Sequence, residues 1–497
     1  MMPYASVHAK LENHFARLTK LEDVAAFLDW DTAAMMPPGG AGSRSEQTAA
    51  LRAAHHELLS RPEVGSWLDE AEGMGAPEPW SAANLREMRR RWTHATAVPS
   101  DLVEALARAE SVCETTWREA RARSDFAMVR PRLAEVLGLV RQVARAKAER
   151  LGGSPYEALL DAYEPGGRCG RIDAAFAELE AFLPGFIAQA LERQGGPPKV
   201  PPGPFPVSLQ RELGLRLMGV LGFDFERGRL DVSHHPFCGG AQDDVRITTR
   251  YDEENFTSSL MGVLHETGHA LYEMGLPMEW RWQPVGRARG MSVHESQSLL
   301  FEMQACRSRP FLTFAAPLMR EAFGGEGPAW DADNLYRLYT RVRPDFIRVD
   351  ADEVTYPAHV ILRYRLEQAL VGGAMEVDDL PAAWAEGMER LLGIVPPDDA
   401  RGCLQDIHWY AGAWGYFPTY TLGAMTAAQL FDAACRADAD VLPGIGRGDF
   451  SPLLRWLRAS VHGKGSSLST DELLTQATGR PLDPSVFESH LRRRYLG

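Results

Sequence analysis

Apolar residues recur every three or four positions along most of the chain, which is the spacing of amphipathic helices. The segment 101–124, DLVEALARAESVCETTWREARARS, shows the pattern clearly and begins at a Ser-Asp pair that suits a helix N-terminus. The same spacing predicts further helices over residues 131–151, 171–193, 208–221, 257–274, 290–304, 380–392, 424–435 and 453–462. We therefore predict an all-α, mostly helical fold with a small β element.

Two stretches depart from the helical pattern. Residues 195–207, GGPPKVPPGPFPV, are too rich in proline and glycine for a helix to cross. Residues 229–251 contain two short alternating runs on either side of Gly239-Gly240, which predicts a β-hairpin. Because the candidate site residues scatter from position 235 to 420 and must converge, we predict one domain over residues 1–497, with a division into lobes near 195–207.

The chain of 497 residues carries a formal net charge of −14, which argues against nucleic-acid and anionic-membrane partners, since both need a basic surface. No run in it approaches the roughly 18–20 uninterrupted apolar residues of a membrane span. Residues 1–15 lack the basic and apolar regions of a secretory signal. The six cysteines are dispersed and form no C-x-x-C pair, which fits a reducing compartment. These features predict a cytoplasmic protein.

The strongest chemical signal is HETGH, from His265 to His269, inside the predicted helix 257–274. Residues four apart share one helix face, with about 5–6 Å between their Cβ atoms, so two imidazoles can reach one cation. Glu266 lies beside that face and can reach a water on the metal, which is the physical basis of the H-E-x-x-H motif. With only 14 histidines in the chain, a chance match is rare, and we predict a metal site rather than two structural histidines.

A catalytic zinc site uses three protein ligands and keeps one position open. A metzincin would have glycine at position 272 and histidine at 275, but the chain has Tyr272 and Gly275, so that class is excluded. The other source of a ligand is the predicted helix 290–304, which carries Glu295 and Glu302. We choose Glu295, 26 residues after His269, because its neighbours are polar. Glu302 stays the alternative, either as the ligand, as a carboxylate behind the ligands or as a surface charge.

The motifs HETGH and HESQ (294–297) resemble the carboxypeptidase Taq family of zinc-dependent metallocarboxypeptidases. Other motifs of that family are also present, namely LDWD at 28–31, HPF at 235–237, D-x-R-x-T at 244–248, I-R-x-x-A-D at 347–352 and G-x-x-Q-D-x-H-W at 402–409. The resemblance covers nearly the whole chain, and no departure occurs at the metal or base positions.

The resemblance implies a zincin-like helical fold in which two lobes flank a deep substrate groove with Zn²⁺ at its floor. It implies a cytoplasmic homodimer that removes single C-terminal residues from peptides with a free C-terminus and tolerates many side chains. Co²⁺ or another divalent metal can occupy such a site of nitrogen and oxygen ligands, so the sequence does not fix the native metal.

Peptide hydrolysis needs an activated water, a polarised carbonyl and a proton for the leaving amine. We assign Glu266 as the general base that takes the proton of the water and passes it to the nitrogen. The developing oxyanion needs a hydrogen-bond donor, for which we favour Tyr420, with His408 and Tyr416 as the other candidates. Aromatic packing is an equally good interpretation of the two tyrosines.

An exopeptidase must also bind the terminal carboxylate of its substrate, and arginine does this best through paired N–H donors. We choose Arg348 and keep Arg246 as its rival. In the structural alternative, Asp350 or Asp352 is the permanent partner of Arg348, and we expect these two carboxylates to orient arginine or histidine side chains rather than to touch substrate.

Two secondary assignments complete the predicted site. Asp243 and Asp244 are expected to hold Arg246 in place. His235, in the HPF motif, is expected to hydrogen-bond the substrate backbone or to lie behind the metal ligands. A lone histidine is more often structural, so this assignment depends on the resemblance.

The same H-E-x-x-H…E core also serves helical zinc endopeptidases and peptidases that release dipeptides, and only the carboxylate-binding group separates the three activities. A non-catalytic protein that has kept the fold is a further interpretation. Such a protein would lack a ligand or the base, and neither is missing here.

Overall fold

The computed structural model describes residues 3–76 and 78–497, and helices make up most of this part of the chain. The helices of the first half are α1 (Pro3–Ala34), α2 (Ala41–Leu59), α3 (Pro62–Met74), α4 (Pro79–Thr96), α5 (Ser100–Arg123), α6 (Phe126–Leu151), α7 (Pro155–Leu160), α8 (Cys169–Arg193) and α9 (Val207–Leu221). The strands are β1 (Gly228–Val232), β2 (Cys238–Ala241) and β3 (Asp244–Thr249). The later helices are α10 (Phe256–Gly275), α11 (Met291–Leu299), α12 (Arg309–Phe323), α13 (Ala332–Tyr339), α14 (Tyr356–Gly372), α15 (Leu380–Leu392), α16 (Pro418–Ala437), α17 (Val441–Ile445), α18 (Ser451–Ser460), α19 (Thr470–Thr478) and α20 (Pro484–Tyr495). The predicted helical fold class is confirmed.

Most predicted helices end within two residues of the observed bounds, and the two larger differences have local causes. α6 begins at Phe126 rather than at 131 because the Asp125 side chain accepts a hydrogen bond from Met128 N at 3.2 Å and caps the helix earlier. α16 begins at Pro418 rather than at 424, since proline fits the first turn of a helix. The predicted helix 290–304 is α11, extended by the π-helical segment Leu300–Cys306.

The predicted β-hairpin is wrong in its pairing. Gly239 and Gly240 lie inside β2 rather than in a turn, and the hairpin is β2–β3, closed by Gln242 and Asp243. β1 pairs with β3 in parallel, so the sheet order is β1-β3-β2. Gly240 has φ +89°, and a Cβ there would lie 2.2 Å from the Asp244 carbonyl oxygen. Glycine at this position therefore lets β2 and β3 approach closely, whereas the prediction from the sequence places it in a turn.

Four hydrophobic cores hold the described elements together, and one of them packs β1 and β3 against α9 and α10. The largest gathers α5–α8, α14, α15 and α20, and a second gathers α9–α13 and α17–α19. A smaller third core joins α1–α4. α16 belongs to both large cores, since Met425 is buried in the first and Leu430 in the second. The division of the chain near residues 195–207 stays a prediction.

α8 is long and apolar enough to cross a membrane by length and composition, with a mean hydropathy of 1.3 over 18 residues. Phe176, Leu183 and Phe186 of this helix are buried in the largest core. A core helix passes the same test, so the finding is weak evidence for a membrane span, and the absence of a membrane partner stays a prediction.

α10 and α11 approach each other closely at Gly268, the fourth residue of HETGH. A Cβ on this residue would lie 2.6 Å from the Gln297 carbonyl oxygen and 2.7 Å from Ser298 Cα. Both neighbours are backbone atoms of the opposite helix, so they cannot turn away as a flexible side chain would. Only glycine lets the two helices pack at this distance.

Gly268→Ala should therefore lower the thermal unfolding midpoint, because added atoms in a well-packed interior cost about 1–3 kcal/mol. Gly262→Ala is the matched control on the same helix, since a Cβ there meets no atom within 4 Å. The control should leave the midpoint unchanged or raise it, because alanine exceeds glycine in helix propensity by about 1 kcal/mol. Equal midpoints for the two variants, measured by circular dichroism, would contradict this account of the helix contact.

Candidate active site

α10 brings two histidines to one face. Its first turn is capped by Asn255, whose side chain accepts a hydrogen bond from Thr257 N at 3.1 Å. One turn separates His265 from His269, and their ring centroids are 5.0 Å apart. Both rings face α11, which carries Glu295.

These three side chains form a group of possible metal ligands. One ligand atom from each of His265, His269 and Glu295 lies within 4.8 Å of the others. The Oε2 atom of Glu295 is 3.3 Å from His269 Nε2 and 3.9 Å from His265 Nε2. The sequence prediction named the same three residues, and the fold brings them together.

Glu295 is held at the contact between α11 and α16. A Cβ on Gly423 would come within 2.9 Å of both Cβ and Cγ of Glu295, so glycine at this position of α16 makes room for the carboxylate. Ser298 Oγ donates a hydrogen bond to Glu295 Oε2 at 3.2 Å. The carboxylate is therefore fixed by packing on one side and by a hydrogen bond on the other.

The other ring nitrogens of the two histidines have partners behind the ligand group. His265 Nδ1 lies 2.8 Å from Glu302 Oε2, and His269 Nδ1 lies 3.1 Å from the carbonyl oxygen of His294. Both partners are acceptors, so each Nδ1 carries a proton and each Nε2 is the nitrogen that can face a cation. Although burial opposes it, Glu295 and Glu302 raise the pKa of His265 to about 10, so a cation displaces a proton from this ring. Glu302 stands in the π-helical segment and also forms an ion pair with Arg307.

The charges at this place fit a divalent cation. Three carboxylates, those of Glu266, Glu295 and Glu302, surround His265, and Arg307 forms an ion pair with Glu302. With all three carboxylates ionised, the excess is two negative charges when His265 is neutral and one when it is protonated. Two imidazoles and a carboxylate are also the ligand types that zinc takes in catalytic sites.

Glu266 lies in the same buried place, 7% exposed, and its Oε2 makes no hydrogen bond with the residues that the structure describes. Burial raises the pKa of this carboxyl to about 7, and the neighbouring His265 opposes part of the rise. A carboxyl with this pKa can both accept and return a proton near neutral pH.

A second buried cluster centres on Arg348. Its Nε and Nη2 donate to the same oxygen of Asp406, at 3.0 and 2.8 Å, while Arg363 Nε donates to the other oxygen at 2.6 Å. Burial alone would raise the pKa of Asp406, but the two guanidiniums hold it well below its usual range. Two positive charges thus share one negative charge in a buried setting.

The alternative prediction that Asp350 or Asp352 is the partner of Arg348 is wrong. Asp350 is exposed, and Asp352 accepts hydrogen bonds from the backbone of Arg343, Val354 and Thr355, so it shapes a turn. The short 3-10 helix Arg348–Asp350 directs these two carboxylates away from the guanidinium.

Tyr420 and His408 lie next to Arg348. His408 Nε2 is 3.2 Å from Tyr420 Oη, and the Arg348 guanidinium lies 4.9 Å from the centroid of the Tyr420 ring. Burial lowers the pKa of His408 to about 4, so this imidazole is neutral at pH 7. Burial raises the pKa of Tyr420 to about 12, so its hydroxyl keeps the proton it can donate. Tyr416 packs against Tyr420, with ring centroids 5.1 Å apart.

Arg246 occupies a different setting from Arg348. Its Nε and Nη2 each donate to one oxygen of Asp244, both at 2.7 Å, and its guanidinium lies 4.4 Å from the ring centroid of Trp30 on α1. Asp244 holds Arg246, as expected, whereas Asp243 pairs instead with Arg281 at 2.7 Å. The bidentate pair satisfies the charge of Arg246 within the protein.

The side chain of His235 is exposed, and its ring packs edge-to-face on His234 with centroids 4.7 Å apart. No contact between this ring and the three possible ligands occurs among the described residues. The expected place behind the metal ligands is therefore not observed, and a role towards substrate stays a prediction.

Sequence reasoning gave no role to several residues that build the site. Asp406 stood within a quoted motif, but its contact with Arg348 spans 58 positions and left no local pattern. Arg363 is fully buried on α14 and looks like a misplaced charge in an apolar helix. The signal in the sequence was an arginine in an apolar helix, because a buried arginine needs a partner of opposite charge.

The family model described as Carboxypeptidase Taq (M32) metallopeptidase matches residues 10–495. The chain belongs to this family. The predicted resemblance is confirmed, and with it the conclusion that the protein is an enzyme, a metallocarboxypeptidase that hydrolyses peptides and uses a divalent metal. The endopeptidase, dipeptide-releasing and non-catalytic interpretations lose their support.

Relatives in this M32 family match over their whole length. Thermostable carboxypeptidase 1 of Thermus thermophilus is 39% identical over 508 residues, covering 100% of this chain and 99% of the relative. Carboxypeptidase 1 of Bacillus subtilis is 32% identical and covers 96% of each chain. The solved structure of Trypanosoma cruzi metallocarboxypeptidase 1 has a TM-score of 0.97 at 42% identity, covering 99% of this chain and 100% of that one.

The metal affinities of two variants should show which of Glu295 and Glu302 is the metal ligand. Glu295→Gln should lower metal affinity by far more than Glu302→Gln, because replacing a residue behind a ligand costs about 10–100-fold and replacing a ligand costs more. The measurement is the metal content of each purified variant after dialysis against a graded series of chelator concentrations. The reverse order of the two variants would show that Glu302 is the ligand.

Proposed function

We propose that the protein is a zinc-dependent carboxypeptidase that releases single C-terminal residues of many kinds, with His265, His269 and Glu295 as the zinc ligands. Co²⁺ or another divalent cation is an acceptable substitute at such ligands. The observation that carries the proposal is the proximity of two buried groups of opposite charge. The ligand group has an excess of negative charge, and the Arg348 cluster has an excess of positive charge. Tyr356 and Tyr420 lie between the two, within electrostatic reach of both Glu295 and Arg348.

Glu266 is the general base in this proposal. When bound, the cation lowers the pKa of a coordinated water towards about 7 and polarises the substrate carbonyl. Glu266 takes a proton from the attacking water and gives it to the amide nitrogen as the bond to carbon breaks. Its free Oε2 and its raised pKa of about 7 suit both halves of this transfer.

Arg348 binds the terminal carboxylate of the peptide. Arg348 and Arg363 together carry two charges against the single charge of Asp406, so one positive charge has no partner before substrate arrives. A buried unmatched charge is costly, and a substrate carboxylate would neutralise it. Asp406 also fixes the Arg348 guanidinium from one edge through Nε and Nη2, which leaves Nη1 for the substrate.

Tyr420 stabilises the oxyanion in this arrangement. Its hydroxyl is protonated and shares a hydrogen bond with His408 Nε2, and its ring lies against the Arg348 guanidinium. A neutral donor of this kind gains strength as negative charge develops on the carbonyl oxygen. His408 positions the hydroxyl.

The remaining parts of the proposal come from the family resemblance and the chain's acidity. They are a homodimer, a cytoplasmic location, tolerance of many C-terminal side chains, and no nucleic-acid or membrane partner. Multi-angle light scattering on the purified protein tests the first of these, with twice the chain mass of 55.0 kDa expected.

Glu266→Gln should keep the metal and lose the reaction. The amide preserves the shape of the side chain but accepts no proton, and general base catalysis contributes about 10²–10⁴-fold in rate. The measurements are kcat on a free-acid peptide and the metal content of the same preparation. A kcat near that of the wild type, at full metal occupancy, would refute the assignment of the base.

Arg348→Ala should lower kcat/KM by at least about 10–100-fold on a peptide with a free C-terminal carboxylate, because a charge-assisted hydrogen bond of about 1.5–3 kcal/mol is lost. Activity on the same peptide as a C-terminal amide, already poor, should barely change. Asp406 keeps Arg363 as its partner in the variant, so the cluster remains charge-balanced.

Arg246→Ala is the comparison variant, since the charge of Arg246 is satisfied by Asp244. It should leave the ratio of acid to amide activity unchanged. Equal losses on both substrates in Arg348→Ala would mean that Arg348 is structural, and a selective loss in Arg246→Ala would move the carboxylate site there.

A further inference from the structure

A cavity of about 300 Å³ lies outside the metal site, between α4, the end of α6, α7 and the loop 161–168. None of the proposed ligands, base or carboxylate-binding residues lines it. Five arginines do, namely Arg86, Arg89, Arg90, Arg150 and Arg168. In a chain with a net charge of −14, this is an unusual local concentration of positive charge.

Two of the five arginines are already paired. Arg89 donates to Glu72 at 2.9 Å and to Asp69 at 2.6 Å, and Arg90 donates to Glu87 at 3.0 Å. These two guanidiniums are half-buried and form part of the cavity wall. Their charge is balanced inside the protein.

The other three arginines form no salt bridge with a described residue. Arg86 donates to the Ser467 carbonyl oxygen at 3.2 Å and Arg168 to that of Gly167 at 3.0 Å, and neither contact balances a charge. Arg150 lies over the Trp92 ring, 6.0 Å from its centroid. Three exposed guanidiniums without a direct ion pair therefore meet at one cavity.

Three carboxylates also line the cavity, and the oxygens of each already accept other hydrogen bonds. Both oxygens of Glu72 accept from Arg89. Those of Glu157 accept from the backbone N–H groups of Ser154 and Cys169, each at 2.9 Å. The third is Asp161, whose oxygens lie 2.8 Å from His94 Nε2 and from Gly166 N. Asp161 also forms an ion pair with Arg90 at 3.5 Å.

We propose that this cavity binds a pyrophosphate group, either as free pyrophosphate or as part of a nucleoside diphosphate or triphosphate. Several planar guanidiniums around one space match the paired oxygens of phosphate groups, and three of them have no carboxylate from the described part of the chain within ion-pair distance. The volume is at the small end of ligand pockets, which fits a compact anion. No tyrosine, phenylalanine or tryptophan lines the cavity, so the phosphates supply the affinity.

The site is connected to the helix that carries Glu295. The loop that begins at Asp161 continues to Tyr163, whose carbonyl oxygen accepts from Met291 N at 2.7 Å, and to Glu164, whose carboxylate accepts from Ser292 N at 3.2 Å. These two contacts hold the first turn of α11. An anion that ties α4 to this loop stabilises the folded state in proportion to its occupancy.

The test is isothermal titration of the metal-loaded protein with pyrophosphate, ADP, AMP and sulfate, together with thermal unfolding in each ligand. We expect saturable binding of pyrophosphate and ADP, much weaker binding of AMP and sulfate, and a higher unfolding midpoint with the first two. Equal affinities for pyrophosphate and ADP identify the free anion as a sufficient ligand. A tighter ADP identifies the nucleotide as the ligand of the same site.

Arg150→Gln combined with Arg168→Gln should weaken pyrophosphate binding at least tenfold. The matched control replaces two exposed arginines that do not line the cavity, Arg193→Gln with Arg216→Gln, and should change the affinity less than twofold. If pyrophosphate only removes the catalytic metal, the titration signal should be the same in both double variants. The metal content measured after each titration reveals such a loss. Absence of saturable binding, or equal affinities in the two double variants, would overturn the proposal. The proposed pyrophosphate site does not depend on the catalytic roles proposed above.

Discussion

The close packing of α10 on α11 is the constraint on which the site depends. Gly268 lets a backbone turn of α10 touch the backbone of α11, and this contact sets the distance between the two histidines of one helix and the glutamate of the other. Gly423 does the same from α16, where the missing Cβ leaves room for the Glu295 side chain. The ligand positions thus follow from helix packing rather than from flexible side chains, and a site held on rigid elements keeps its geometry.

The two buried clusters have complementary charge. The ligand group needs a cation, since three carboxylates meet there and a guanidinium, that of Arg307, pairs with one of them. The Arg348 cluster needs an anion, since two guanidiniums share Asp406. A peptide C-terminus offers a carboxylate one residue away from its last amide bond, so this pair of charges fits the end of a chain and disfavours an internal bond. The M32 activity and the local electrostatics lead to the same substrate class.

The sequence predicted local features well because they depend on local spacing. Helix periodicity located most of the helices, and H-E-x-x-H needs only the geometry of one helical turn to suggest a metal site. The choice of Glu295 over Glu302 came from polar neighbours, and the fold brings Glu295 towards the histidines while Glu302 contacts His265 from behind.

The sequence did not reveal which residues distant in the chain pair with each other. Asp350 and Asp352 are near Arg348 in the chain, but the partner is Asp406, brought in by the packing of a distant loop. The glycine pair in β2 resembled a turn, while its actual role is a close approach between strands. Charged residues such as Arg363 could be recognised as unusual, although only the fold supplies their partners.

The central claim is that α10 and α11 together hold one divalent cation at three side chains. Anomalous diffraction at the zinc edge from crystals of the zinc-loaded protein tests it most directly. The account predicts a single strong peak at about 2.0–2.2 Å from His265 Nε2, His269 Nε2 and a carboxylate oxygen of Glu295. A peak bonded to Glu302 in place of Glu295, or no peak at this group in crystals of active enzyme, would contradict it.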